Sequence, residues 1–166
     1  KGLYWSKVKG TEAAKVVEPD EDYILPFGKA NIVREADQSE IEKGNSLLIV
    51  TYGMGVHWSL NAAKNYQGQV EILDLRTIYP VDEDLIMERS KVHGRILIVT
   101  EEPQFNGFSQ RIAARISDQC FEYLDAPVKV LGAENMPAIP LNEILEKTMI
   151  PSIEKVSDAI GNCLNY

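Results

Sequence analysis

The sequence predicts an α/β fold: a three-layer αβα sandwich around a mostly parallel five-stranded sheet with one antiparallel edge strand. Three observations carry this. From residue 46 onward, short runs of Val, Ile and Leu alternate with stretches of helical period. The stretches between the runs are long enough for helical crossovers, which parallel pairing requires and which cover both faces of a sheet. One further strand, ahead of the repeat, has too short a connection for a crossover.

That first strand is Ala30–Arg34, after the Pro26-Phe27-Gly28 turn. About ten residues separate it from Ser46, which suits an antiparallel edge position. The parallel strands are Ser46–Tyr52, Val70–Leu75, Arg95–Thr100 and Val128–Leu131. Following Gly53-Met54-Gly55, a helix sets Val56, Leu60 and Ala63 on one face and His57, Asn61 and Lys64 on the other. After Pro80, Asp82-Glu83-Asp84 puts negative charge at a helix start, and His93-Gly94 closes that helix with a cation and a glycine. The next helix buries Phe108, Ile112, Ile116 and Cys120 and turns Arg111, Arg115, Asp118 and Glu122 to water. The last starts at Pro151, a favoured first helical position, and stripes Ile153, Val156, Ile160 and Leu164. Residues 30–166 form the predicted domain and 1–29 an arm.

Of the 166 residues, 45% are hydrophobic and 25% charged, which suits one folded domain with a core and argues against disorder. A net charge of −8 disfavours a nucleic-acid surface and favours basic partners. No apolar run nears the ~20 residues that span a bilayer, and no export signal opens the chain, so a soluble protein away from the membrane is expected. Cys120 and Cys163 lie far apart, which suits buried, reduced thiols in bacterial cytoplasm or mitochondrial matrix. The opening KGLYW, without Met, has the character of a cut end of something longer.

Candidate chemistry is sparse. Gly53-Met54-Gly55 follows a strand and opens a helix, but position 58 is Trp where a dinucleotide fingerprint needs glycine, and no Gly-Lys-Ser/Thr follows. A tight corner is the expectation. His57, in the first helical turn, is a candidate interface histidine. Glu101-Glu102 follow a buried strand at the end where open α/β sheets gather ligands. Neighbours in an extended segment point oppositely, so Glu101 is a candidate interface residue and catalysis is not expected of the pair. Asp74 and Arg76 suggest an ion pair or interface contacts. Neither Cys120 nor Ser59 and Ser109 has the setting of a nucleophile, and metal-ligand spacing is missing. No catalytic, cofactor-binding or metal-binding residue is assigned.

YGMGVHWSLNAA, VEILDLRTIYPVDEDLI, RILIVTEEP with NGFSQRIAARI, LDAPVKVLGAENMPAIP and LEKTMIPSIEKVSDAI together resemble a known domain. It is the transketolase-type C-terminal domain of the beta subunit of 2-oxoacid dehydrogenases, the thiamine-diphosphate-dependent first components of the pyruvate and branched-chain complexes. On this resemblance KGLYW is the last strand of a preceding pyrimidine-binding domain, and a fused alpha-beta polypeptide is an equal fit. The resemblance implies an assembly and docking domain, with thiamine diphosphate and magnesium bound by other parts of the enzyme, and no turnover by this piece alone. Implied partners are its own pyrimidine-binding domain, the alpha subunit or alpha region, a second beta subunit and the small basic binding domain of the dihydrolipoyl acyltransferase. Glu134 and Tyr166, with the free carboxylate after Asn165-Tyr166, are the candidate docking residues by location and charge. The alternative is a free-standing flavodoxin-like domain binding a small anion or nucleotide near Gly55 and Glu101.

Overall fold

The computed structural model describes residues 17–166; the expectation for KGLYW falls outside them. The elements run β1 (Asn31–Arg34), α1 (Gln38–Glu42), β2 (Leu47–Thr51), α2 (Met54–Ala62), β3 (Val70–Asp74), α3 (Glu83–His93) and β4 (Ile96–Pro103). There follow α4 (Phe108–Gln119), β5 (Lys129–Ala133), α5 (Glu143–Met149) and α6 (Ile153–Leu164). The sheet order is β1-β3-β2-β4-β5. β1 pairs antiparallel with β3 at the edge, and the other pairings are parallel. The predicted class and the odd edge strand are both present.

Two apolar cores sandwich the sheet. Strand side chains alternate between faces, so Leu47, Ile49, Val70 and Ile72 meet Trp58 and Ala62 of α2 and Val156 and Ile160 of α6. On the other face Leu48, Val50, Leu73 and Ile98 meet Ile86 of α3 and Ile112 and Ile116 of α4. Each such Leu or Ile, buried completely, contributes about 1.5–3 kcal/mol through its apolar area. Cys120 and Cys163 are free thiols inside these cores, and burial pushes both up from the ordinary thiol range.

The predicted helix ends hold at α3. Asp82 caps it by accepting from Leu85 N at 3.4 Å, while its other oxygen takes Ala30 N at 3.1 Å. Gly94 closes it in the left-handed region, φ 65°. Other details differ. Pro151 is buried but precedes α6; Ser152 is the cap, accepting from Lys155 N at 3.2 Å, and Ile153 is exposed. Leu60 is only half-buried, and Ser59 and Trp58 take the inner face of α2. Two short helices, α1 and α5, were not anticipated. α5 is capped by Asn142, whose Oδ1 accepts from Ile144 N at 2.9 Å and Leu145 N at 3.3 Å.

Candidate functional site

β2 and β4 are neighbours, yet the helices that follow them cover opposite faces, α2 one and α4 the other. Their carboxyl ends therefore flank a topological switch point, the place where open α/β sheets hold ligands. Gly55 and Glu101 both stand at this crevice, so the placement needed for the anion-binding alternative exists. What fills the crevice is the chain itself.

On the β2 side, Thr51 Oγ1 donates to Val99 O at 2.8 Å. A Cβ on Gly55 would land on Thr51 Oγ1 and stand 3.1 Å from Val99 O, so the glycine is there to let α2 sit directly on β2 and β4. The next side chain, Tyr52, hydrogen-bonds Thr100 Oγ1 at 2.9 Å and meets Phe108 edge-on at 6.0 Å. Burial pushes the Tyr52 phenol up, a shift that Glu102 and Glu101 reinforce. On the β4 side, Glu102 bends back over α4, where its carboxylate accepts from Phe108 N at 3.0 Å and Ser109 N at 2.5 Å. The N-terminal amides and positive dipole end of α4 are thus occupied by a carboxylate of the same chain. Gly107 makes this possible, since a Cβ there would meet the Glu102 carboxylate at 2.7–2.9 Å. Glu101 points away and is exposed, as the alternation of an extended segment requires.

His57 lies half-buried on the outer side of α2, its carbonyl accepting from Asn61 Nδ2 at 2.9 Å. Asp74 and Arg76 form no ion pair among the described residues. Instead the Arg76 amide donates to Asp74 Oδ1 at 3.0 Å, with Arg76 itself at φ 56°, so the two close a turn. Glu134, exposed just past β5, donates its amide to Met149 O at 3.0 Å. Tyr166 lies by Ala126 and Pro127, ahead of β5. The two candidate docking residues are consequently separated by the strand, ~17 Å at 3.3 Å per residue. No cluster of three or more His, Cys, Asp or Glu suited to a metal occurs among the described residues, and no helix among them is long and apolar enough to cross a membrane.

One polar cluster escaped the sequence altogether. Glu71, the second residue of β3, is 1% exposed, gripped by Arg89 Nε and Nη2 at 2.6 and 2.7 Å, with His93 Nε2 at 3.3 Å. His93 Nδ1 meets Ser46 Oγ at 2.8 Å. His93, expected only as a helix-end cation, is therefore buried in this cluster. Burial pushes the Glu71 carboxyl up, but the hydrogen bonds and charges of His93 and Arg89 outweigh that and hold it below its ordinary value. A glutamate within an apolar strand of a doubly covered sheet was the available signal, since it cannot reach water and must find partners.

Residues 28–156 match the family model for the transketolase C-terminal domain. The chain is 34% identical over 167 residues to the 2-oxoisovalerate dehydrogenase subunit beta of Bacillus subtilis, a match covering 99% of this chain and 49% of the relative. It is 35% identical over 143 residues to the pyruvate dehydrogenase E1 component subunit beta of Rhizobium meliloti, covering 84% and 29%. A solved structure described as a split gene transketolase, inactive beta4 tetramer, superposes with a TM-score of 0.67 at 17% identity, covering 88% of this chain and 45% of that one. The chain spans about half or less of the length of these relatives.

Proposed function

The chain belongs to the transketolase C-terminal domain family, and from that premise we propose that it is the assembly and partner-docking domain of a thiamine-diphosphate-dependent 2-oxoacid dehydrogenase. The complete enzyme would oxidatively decarboxylate a 2-oxoacid and pass the acyl group to lipoamide. In this proposal residues 30–166 are the domain and 1–29 the arm from a pyrimidine-binding domain. Thiamine diphosphate and magnesium would be bound elsewhere in the enzyme, with this domain braced against its own pyrimidine-binding domain, the alpha region and a second beta subunit. His57 and Glu101 would face those neighbours. Glu134 and Tyr166 would meet the basic binding domain of the acyltransferase, which has to reach both ends of β5.

The observation that supports this best is the self-filled crevice. At the position where a free-standing domain would hold a phosphate, Glu102 occupies the helix end, and Tyr52, Thr100 and Phe108 close the rest. A second carboxylate-sized anion would have to displace Glu102 from the Phe108 and Ser109 amides at the start of α4. The flavodoxin-like alternative needs that space open.

Calorimetric titration of the purified chain with flavin mononucleotide, adenine nucleotides and thiamine diphosphate tests the reading. No binding is expected, and decarboxylation should appear only when the pyrimidine-binding and alpha regions are supplied. Micromolar binding of any of these compounds by the chain alone would favour the alternative. For docking, removing Tyr166 and reversing Glu134 should weaken capture of the acyltransferase binding domain, most clearly at low salt.

A further inference from the structure

At the opposite end of the sheet from the crevice, a cavity of about 310 Å³ opens between β5 and the final turns of α6. Leu97, Pro127, Leu131 and Ala159 give it apolar walls, and Lys129, with Asn162, supplies its polar side. That is the size and make-up of a small-ligand site, an apolar hollow with a few polar groups to orient what enters.

The charge around it is distinctive in a chain of net charge −8. Leu131 packs on the core under α2 and α6, and Lys129, two residues earlier on the same strand, points to the same face. No carboxylate among the described residues pairs with Lys129. Arg95, nearby, is held by the Gly44 carbonyl and, at 3.4 Å, by Asp125. The charges that act on Cys163, which lines the cavity, are those of Lys129 and Arg95, both cationic. Lys129 is exposed, and an ammonium beside an apolar hollow suits an anion joined to a hydrocarbon body.

We infer that this cavity binds a small monocarboxylate with an apolar chain, its carboxylate on Lys129 and its chain against Leu97, Leu131 and Ala159. Tyr166 also lines this cavity, so the site borders the proposed docking contact, while the evidence for it is the cavity and Lys129.

Octanoate, titrated by calorimetry into the full-length protein that carries this chain, is the probe. Saturable binding is expected, together with about tenfold slower alkylation of Cys163 by iodoacetamide, followed by mass spectrometry. Lys129→Met, which keeps the stem and removes the charge, should weaken octanoate about tenfold, the worth of one charged hydrogen bond. Octanol, with the same chain and no charge, should bind the unmodified protein about tenfold more weakly than octanoate. Ala159→Phe, which fills the hollow, should abolish both the heat and the protection. Absence of saturable binding would overturn the proposal, as would octanoate binding and Cys163 protection that are the same in Lys129→Met as in the unmodified protein.

Discussion

Glu71 carries the clearest single-residue consequence. Its carboxyl is held below the ordinary value of 4.5, so the stability it contributes is present above that pH and is lost as pH falls through its folded value. Glu71→Gln should cost about 3 kcal/mol at pH 7, because Arg89 is left without its counter-charge inside the protein. Urea unfolding followed from pH 7 downward should show this difference shrinking below about pH 4.5; a constant gap would mean the cluster acts through packing alone. Glu102→Ala exposes two backbone amides at α4 and should cost about 1–2 kcal/mol by the same measurement. The sequence revealed little of either role. Glu71 and Arg89 are 18 residues apart and meet only once α3 lies on the sheet. Glu102 was legible as one of a pair facing opposite ways, but its capping of a helix six residues on depends on a loop whose path no spacing rule supplies.

The elements were legible in proportion to how much apolar surface they bury. β2, β3 and β4 are nearly continuous apolar runs, and α4 alternates buried Ile112 and Ile116 with charged neighbours, so each stands within a few residues of its expected place. α5 was missed because Ile144 and Leu145 are exposed, so no buried stripe marks it, and Asn142 was its one visible signal. Pro151 misled for a related reason: the chain turns once more, at Ser152, before α6 begins. α2 was placed correctly although its glycines were ambiguous. Gly55→Ala should separate the two meanings of that motif. The added methyl collides with Thr51 Oγ1, so a loss of about 1–3 kcal/mol from overpacking is expected in thermal or urea unfolding. A neutral result would show that α2 can shift outward without cost.

For the whole molecule, the antiparallel edge position of β1 followed from its short connection, but the surface did not follow from anything local. Met136, Ile139, Leu141, Ile144 and Leu145 are all exposed within one ten-residue stretch, and Ile144 is 73% exposed. An uncovered apolar tract of this kind marks a contact surface. Purified alone, the chain should self-associate with rising concentration, and Leu141→Lys with Ile144→Lys should reduce this in sedimentation velocity while leaving the far-ultraviolet circular dichroism unchanged. Equal self-association in the double variant would locate the adhesive surface elsewhere.

The seam at β1 has a mechanical meaning. Gly28 N is tied to Thr77 Oγ1, Ala30 N to Asp82, and Asn31 then starts an antiparallel ladder beside the far end of β3. Tension applied through residue 27 at right angles to the strands would meet these links one after another, as a zipper opens, and not all together in shear. The edge strand would peel away under a modest pull while the parallel strands behind it stayed assembled, so a tug on this side spends itself at the margin and leaves the interior intact.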